Sequence, residues 1–354
     1  MTQLMTLLLL TSAALALTSA TPLPTFDVWA AAHGKSYATP QERAARSAVY
    51  DANAKFIAAH NSDPGSSSMV LGATAFTDLT HAEFLAAGRQ GRAPPRPTAP
   101  VAAGPGPGPS FEFANVAVPA GSVDWRSRGA VTGVKNQGTC GSCWAFSATG
   151  AIEGLHFIKT GRLVALSEQE IGECDTNRQD TSICEGGLPD DAFAWVAKHG
   201  GLTTEAAYPY TCLKNPTDCY APNKTKCKDA ARVATITGHR DVPVNNETAL
   251  AQAALVQPVS VGVDATAKSW QHYRSGVYDD PACGTTIDHA VLVVGFGTEE
   301  GTGQAFWLVK NSWGAAWGDG GYIKIARGGS SAKGPNKGQG MCAIAAHPSY
   351  PTLN

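Results

Sequence analysis

The nine cysteines of this 354-residue chain all lie after residue 139, and none lies in its first third. An odd number of cysteines in a secretory chain predicts disulfide bridges plus one remaining thiol. Secretion is indicated by the apolar segment Leu4–Leu17, which is followed by small residues up to Ala20. This segment is too short for an ordinary transmembrane helix and is typical of a signal peptide, so we assign residues 1–20 to one.

The overall composition is that of a globular chain long enough for two domains, with 43% hydrophobic and 16% charged residues. The formal net charge is only −2, and no basic run occurs. We therefore expect no nucleic-acid partner. No second long apolar stretch follows the N-terminal one, so we expect a soluble mature chain with no membrane partner.

One cysteine stands where an apolar helix is predicted to begin. Cys143 is followed by Trp144, Ala145 and Phe146, and a helix N-terminus carries partial positive charge and free N–H groups. That field favours a thiolate, which is the nucleophilic form of cysteine. An isolated buried cysteine usually behaves as a small hydrophobe, so this position alone does not identify a nucleophile.

Two distant segments supply the groups that a nucleophilic thiol needs. His289 opens the apolar run Val291–Gly295, and Asn311 closes the run Phe306–Lys310. A base and an orienting amide on two strands that face a helix form the Cys-His-Asn arrangement of nucleophilic catalysis.

With these residues the chain resembles the papain/cathepsin L family of cysteine peptidases. The segment Cys140–Trp144 matches that family's Cys-Gly-(Ser/Ala)-Cys-(Trp/Tyr) signature, and His289 and Asn311 lie at the family's spacing. The resemblance implies an α+β, papain-like two-domain fold, with a helical left domain, a β-barrel-like right domain and the active-site cleft between them. It also implies a cysteine endopeptidase that works through a thiolate acyl-enzyme, with no cofactor and no metal.

The resemblance assigns a catalytic role to each motif residue. Cys143 is the nucleophile and His289 its proton acceptor, in a thiolate–imidazolium pair. Asn311 orients the imidazole, and Trp313 shields the His–Asn bond from water. The backbone N–H of Cys143 and the side chain of Gln137 would stabilise the oxyanion.

The resemblance also places the substrate. Gly186 and Gly187 would bind an extended peptide backbone, and Asp288 belongs to the same region. We expect a hydrophobic P2 residue because the proposed pocket is mostly apolar or small. Its lining is Leu188, Pro189, Gly262, Ile287, Ala290 and His347, and for His347 a solvent-facing position is the alternative.

The family's disulfides map onto Cys140–Cys184 and Cys283–Cys342. Cys174 would pair with one of three cysteines, and the other two would form an additional bridge. The sequence leaves that choice open among Cys212, Cys219 and Cys227.

The N-terminal third resembles an inhibitory propeptide, assigned to residues 21–88. Six residues recur at helical spacing and match the family's interspersed propeptide motif: Glu42, Arg46, Tyr50, Asn53, Ile57 and Asn61. Gly72–Asp78 resembles the next motif. We expect Glu42 to pair with Arg46, and acid to loosen the prosegment by protonating such carboxylates.

A linker rich in Pro and Gly is predicted for residues 89–117, with processing near Val116–Pro119 and the mature peptidase at 118–354. Within the mature part we predict helices at Cys143–Lys159, Ser167–Glu173 and Leu188–His199. Strands are predicted at 232–237, 258–264, 289–297, 305–311 and 321–326.

The expected partners are protein or peptide substrates, the chain's own propeptide and cystatin-like inhibitors, with the enzyme a monomer. The expected location is the lysosome or vacuole, or the extracellular space, and Asn223 and Asn246 are candidate glycosylation sites. The alternatives are a non-catalytic binding homologue and a Cys-His acyltransferase. The complete catalytic set argues against the first, and the propeptide motifs argue against the second.

Overall fold

The computed structural model describes residues 22–63, 68–87, 111–119, 121–175, 182–213, 219, 227, 230–328 and 338–353. The proposed signal peptide, most of the linker and the Asn223 sequon lie outside the described residues. Among the described helices, none is long and apolar enough to cross a membrane. The helices are α1 Phe26–Ala32, α2 Pro40–Asn61, α3 His81–Ala86, α4 Cys143–Thr160, α5 Glu168–Cys174, α6 Pro189–His199, α7 Glu247–Val256 and α8 Lys268–His272.

The strands of the described residues are β1 Val70–Leu71, β2 Val123–Asp124, β3 Gly238–Asp241, β4 Val259–Val263, β5 Tyr273–Ser275, β6 Val277–Tyr278, β7 His289–Thr298, β8 Ala305–Lys310, β9 Tyr322–Ala326 and β10 Ser349–Thr352. They form two sheets. β1 and β5 pair with each other, and the remaining eight form one sheet in the order β3-β10-β4-β7-β8-β9-β6, with β2 paired to β7.

Helix α2 forms as its periodicity predicts. Thr39 caps it by accepting the N–H of Glu42 at 3.1 Å, and a proline occupies its first turn. Tyr50, Asn53 and Ile57 are its buried residues. Asn53 donates its amide to the backbone that carries the second propeptide motif, which joins the two motifs into one unit.

The ion pair expected between Glu42 and Arg46 does not form. The carboxylate of Glu42 accepts the N–H of Ala38 at 2.7 Å, because it lies in the first turn and caps its own helix. Arg46 instead donates to Glu83 of α3 at 2.8 Å. The helix therefore uses Arg46 to hold α3 rather than to stabilise itself.

In the catalytic part, the three predicted helices are present as α4, α5 and α6 with small shifts at their ends. Four of the five predicted strands are present as β4, β7, β8 and β9. The strand predicted at 232–237 is wrong, because only Ala234 pairs there, in an isolated bridge with Leu202. Helices α7 and α8 were not predicted, and neither were the short strands β2, β3, β5, β6 and β10.

Strand β7 joins the two halves of the fold, because its successive side chains point to opposite faces. Ala290, Leu292 and Val294 belong to the core around α4, whereas Val291 and Val293 belong to the core around α7 and the sheet. His289 is the first residue of this strand, so it lies at the boundary between the two cores.

The prosegment is docked on the catalytic part through backbone and aromatic contacts. Strand β1 pairs with β5, and Thr74 donates its hydroxyl to the carbonyl of Gln271 at 2.7 Å. Phe76 and Phe84 pack edge-on against Trp313, with ring centroids 5.8 and 5.6 Å away. This contact packs two phenylalanines of the prosegment on the aromatic cluster of the peptidase.

Part of the predicted linker is also packed on the catalytic part. Gln252 donates to the carbonyls of Ala114 and Val116, and Phe113 packs on Tyr350 with ring centroids 5.0 Å apart. The predicted processing region therefore starts within a segment held by α7 and β10.

Four disulfides are formed, and Cys143 is the cysteine outside them. Two of them are Cys140–Cys184 and Cys283–Cys342. The partner of Cys174, which the sequence left open, is Cys227, and Cys212–Cys219 is the additional bridge.

We predict that peptide mapping without reduction will recover these four bridges. Denatured, unreduced precursor should take up one equivalent of an alkylating reagent, at Cys143. The matched control is Cys143→Ala, which should take up none. A Cys174–Cys219 peptide, or labelling at Cys212, would contradict this pairing.

Candidate active site

Cys143 lies at the first turn of α4, where the sequence placed it. The loop before it is fixed by the Cys140–Cys184 bridge and by the N–H of Gly141, which donates to the carbonyl of Cys184 at 3.1 Å. The N–H of Ala290 on β7 donates to the sulfur of Cys143 at 3.4 Å. This bond carries partial positive charge to the sulfur, as does the helix N-terminus.

The hydrogen bonds around His289 fix its tautomer. Its Nε2 lies 2.8 Å from Oδ1 of Asn311, and that oxygen also accepts the N–H of Ser312 at 2.7 Å. Because Oδ1 can only accept, Nε2 must carry the proton and Nδ1 is left as the basic nitrogen. Nδ1 has no hydrogen-bond partner among the described residues, so it is available to take the thiol proton.

An indole covers the His–Asn pair. Trp313 stacks on the imidazole of His289, with ring centroids 4.8 Å apart and planes at 25°. Trp317 meets Trp313 edge-on at 4.9 Å, and both indoles are buried. The sequence expectation that Trp313 shields this hydrogen bond fits this geometry.

The precursor disfavours the ion pair that sequence analysis predicts. His289 is fully buried, and this burial lowers its pKa to about 4, although its hydrogen bond with Asn311 acts in the opposite direction. The imidazole is therefore neutral above about pH 4 while the prosegment is docked. A thiolate–imidazolium pair needs an environment in which the imidazole is more hydrated.

Gln137 lies beside the nucleophile and is completely buried. Its Nε2 donates to the carbonyl of Cys140 at 2.9 Å, and its Oε1 accepts the hydroxyl of Ser312 at 2.5 Å. These two bonds fix the orientation of the amide beside the loop that leads to Cys143. Sequence analysis did not single out Ser312, which orients this amide.

The predicted substrate residues lie on both sides of the cleft. Gly186 has a φ of 87°, a conformation that favours glycine, and it leads through Gly187 into Leu188 and Pro189 at the start of α6. On the opposite side Gly262 of β4 pairs with Ala290, and a Cβ added to Gly262 would come within 2.7 Å of Ile287. His347 is exposed, just before β10.

Asp288 has an environment that its sequence position does not reveal. Burial is the largest cause that raises its pKa to about 7, and the nearby charge of Asp264 adds to it. The N–H of Ala265 donates to its carboxylate at 2.8 Å, which opposes the rise. Asp288 is therefore a titrating group next to His289 in the covered precursor.

Comparison with known proteins identifies the class to which this site belongs. Residues 119–352 match the family model described as papain family cysteine protease. Residues 26–84 match the cathepsin propeptide inhibitor domain (I29). The chain is 42% identical over 329 residues to the senescence-specific cysteine protease SAG39 of Oryza sativa subsp. indica, covering 92% of this chain and 88% of that protein.

Solved proforms have the same architecture. The proform of Amb a 11, a cysteine protease and ragweed pollen allergen, superposes with a TM-score of 0.76 at 36% identity, covering 93% of this chain and 94% of that one. Digestive procathepsin L 3 of Tenebrio molitor gives a TM-score of 0.73 at 35% identity, covering 92% and 97%. The chain therefore belongs to the papain family of cysteine proteases. It has the two-part organisation of a zymogen, with an I29 propeptide domain before the peptidase domain.

We predict a graded loss of activity in three variants of the site. Cys143→Ala should have no peptidase activity, because the nucleophile is gone. Gln137→Ala should lower kcat by about 10²–10³-fold with little change in KM, because the donor acts on the transition state. Asn311→Ala should lose less peptidase activity than Cys143→Ala, because Asn311 orients the base without transferring a proton. Steady-state kinetics on a peptidyl fluorogenic amide, after processing in trans by the parent enzyme, measures this series. Retained turnover in purified Cys143→Ala would contradict the assignment.

Proposed function

We propose that Cys143, His289 and Asn311 make this chain an endopeptidase that cleaves peptide bonds through an acyl-enzyme. The proposal rests on one observation: Nδ1 of His289 is the unprotonated nitrogen, held so by the bond from Nε2 to Asn311. The sulfur would attack the peptide carbonyl, and the imidazolium would return its proton to the leaving amine. Water would then release the acyl group with the imidazole as base.

The oxyanion would form between two donors on different segments. One is the N–H of Cys143 at the start of α4, and the other is the side-chain amide of Gln137. Both are buried, and in a water-excluded site such donors act on developing charge without reorganisation. The non-catalytic alternative would leave this donor set without a use.

The proposed pocket residues support a preference for an apolar P2 side chain. Gly262, Ile287 and Ala290 form one small or apolar surface, and Leu188 and Pro189, at the start of α6, are proposed to complete the pocket from the other domain. A chain of this kind would act on extended peptides, with Gly186 offering its backbone. Exposed His347 is proposed as the pocket's titratable residue.

We also propose passage through the secretory pathway, since four disulfides form and persist under oxidising conditions. Asn246 is exposed, and its Oδ1 caps α7 by accepting the N–H of Ala249 at 2.9 Å. Its Nδ2 remains as the atom for glycan attachment.

Acidic activation is proposed to depend on a buried histidine at the prosegment interface. His272, the last residue of α8, is fully buried, and neither ring nitrogen has a hydrogen-bond partner among the described residues. Phe56 of α2 packs on the ring of His272, with 6.0 Å between the ring centroids. The backbone carbonyl of His272 accepts the N–H of Gly72 at 2.8 Å. The prosegment thus lies directly over a histidine that has no acceptor for a second proton.

The charges around His272 oppose its protonation. Burial is the main cause that lowers its pKa to about 3, followed by Lys268 of its own helix and His81 of α3. Lys268 is itself placed over Phe56, and α2 contributes no carboxylate to the electrostatic neighbours of His272 among the described residues. A protonated His272 would therefore be repelled by Lys268 and His81 and would lie under the ring of Phe56.

The sign of the pH effect follows from linkage. When the prosegment leaves, His272 is rehydrated and its pKa returns towards about 6.5. The docked form then binds fewer protons than the open form. Docking is thus fully favoured above about pH 6.5 and weakens as the pH falls towards 3, by about tenfold per pH unit.

Glu83 contributes in a lower pH range. Its hydrogen bond from Arg46 is the main cause that lowers its pKa, so its stabilising effect is present above the ordinary carboxylate pKa and is lost as the pH falls through the lowered value. Its side chain is 43% exposed, so solvent screening keeps the effect small. We propose that Glu83 takes the role that sequence analysis gave to Glu42.

We predict that His347 controls the pH dependence of specificity. Its protonation near the ordinary histidine pKa should raise tolerance of Glu at P2 relative to Leu as the pH falls. The ratio of kcat/KM for the two substrates, measured from about pH 4.5 to 7.5, reports it, and His347→Ala is the matched variant. A ratio that is independent of pH, or unchanged in His347→Ala, would remove His347 from the pocket.

We predict that His272→Leu keeps the precursor closed in mild acid. In the full-length Cys143→Ala background, which cannot process itself, amide exchange at Gly72 and β1 should report opening after correction for the intrinsic pH dependence. At about pH 4.5 opening should be up to 100-fold less favourable in His272→Leu than with His272 present. His272→Gln is a second neutral variant, and His156→Leu, a half-buried histidine of α4, should keep the pH dependence of the unsubstituted background. The same pH dependence in both His272 variants would refute this role.

A further inference from the structure

One hydroxyl connects the two segments that carry the oxyanion donors. The phenol oxygen of Tyr210 lies 3.0 Å from the carbonyl oxygen of Gln137 and 2.7 Å from the hydroxyl of Ser142. Gln137 carries the side-chain donor, and Ser142 immediately precedes Cys143, whose N–H is the backbone donor. Tyr210 comes from a third segment, 73 positions after Gln137.

The direction of these bonds follows from the groups involved. A carbonyl only accepts, so the single phenol proton of Tyr210 goes to Gln137, and the hydroxyl of Ser142 must donate to the phenol oxygen. Burial is the main cause that raises the pKa of Tyr210 far above its ordinary value. The phenol therefore stays protonated over the whole working pH range, and the bridge persists.

Ser142 is committed to this bridge rather than to its helix. It occupies the N-cap position of α4, where a serine side chain ordinarily accepts an N–H of the first turn, yet it makes no such cap bond. Its hydroxyl is completely buried and is directed to Tyr210 instead. Ser142 therefore gives up a capping bond to α4 and instead makes a hydrogen bond to Tyr210.

Tyr210 is itself held firmly. Its ring meets Phe146 of α4 edge-on at 4.9 Å, and its N–H donates to Glu205 at 2.9 Å. The chain continues into the Cys212–Cys219 bridge, and a Cβ added to Gly138 would lie 3.2 Å from Leu213. Leu213, which follows the bridged Cys212, therefore packs on the loop of Gln137.

We propose that Tyr210 is a positioning residue of the oxyanion site, which fixes the distance between the Gln137 loop and the start of α4 through its two hydrogen bonds. The proposal rests on the proposed role of Gln137 as an oxyanion donor. Small displacements of a donor matter because the donors act on charge that exists only in the transition state.

The test compares two tyrosines of one segment. Tyr210→Phe removes the bridging hydroxyl, and the matched control Tyr208→Phe removes a hydroxyl that bonds Glu173 instead. Each variant is made as the full-length precursor, activated, and assayed. Tyr210→Phe should lower kcat roughly 3- to 10-fold, the range of one neutral hydrogen bond, with KM unchanged. Tyr208→Phe should leave kcat unchanged.

Two further readouts separate positioning from general damage. The inhibition constant of a peptide aldehyde, whose thiol adduct carries an oxyanion, should rise by the same factor as kcat falls. The rate at which iodoacetamide alkylates Cys143, a reaction that needs no oxyanion donor, should stay the same. A loss of alkylation equal to the loss of kcat, or an unchanged aldehyde constant, would overturn the proposal.

A double-mutant cycle with Gln137→Ala distinguishes this proposal from the one on which it rests. If Tyr210 acts through Gln137, most of its effect should disappear in the Gln137→Ala background. Fully additive losses would overturn the positioning role while leaving the oxyanion role of Gln137 intact. A Gln137→Ala variant with unchanged kcat would overturn both.

Discussion

Three buried charges, Glu153, Glu168 and Lys310, and the partly buried Lys135 connect segments that carry the proposed catalytic residues. Lys135 contacts the carboxylates of Glu153 and Glu168 at 3.1 and 2.6 Å. Lys310 donates to Thr132 at 2.9 Å, and Thr132 donates to Glu153 in turn. Burial opposes the charged form of Lys135, but its two carboxylates raise its pKa overall. Removing one member would leave an uncompensated buried charge, at a cost of about 3–5 kcal/mol.

This cluster controls geometry because its members are neighbours in sequence of the groups that do the chemistry. Lys310 immediately precedes Asn311, Lys135 lies two residues before Gln137, and Glu153 is on the helix that Cys143 begins. The proposed orienting amide, oxyanion donor and nucleophile therefore come from segments tied to one charged centre. Apolar residues of similar volume often stabilise a fold as well as a buried ion pair does, but they would not specify this register as sharply.

The catalytic residues were predictable because their chemistry requires particular residue types at the ends of regular elements. The contacts that bind the prosegment could not be predicted from the sequence. Glu42 and Arg46 are one helical turn apart, yet the carboxylate is satisfied by its own helix end, and Arg46 finds Glu83 across 37 positions. Residues 232–237 have strand-like composition, but the backbone there forms an isolated bridge with Leu202 and one bond from Thr237 to Thr352 instead of a strand. Tyr210 gave no signal because its role depends on two segments that only the fold brings together.

The aromatic surface beside the proposed catalytic residues also receives the prosegment. The indole of Trp313 stacks on the imidazole of His289. Phe76 and Phe84 of the prosegment pack edge-on against the same indole. These contacts place the prosegment against the aromatic cluster beside the imidazole. Burial lowers the pKa of His289 to about 4, which opposes a thiolate–imidazolium pair in the precursor. In the acid activation that we propose, release of the prosegment would rehydrate His272, so mild acid would favour the open form by proton linkage.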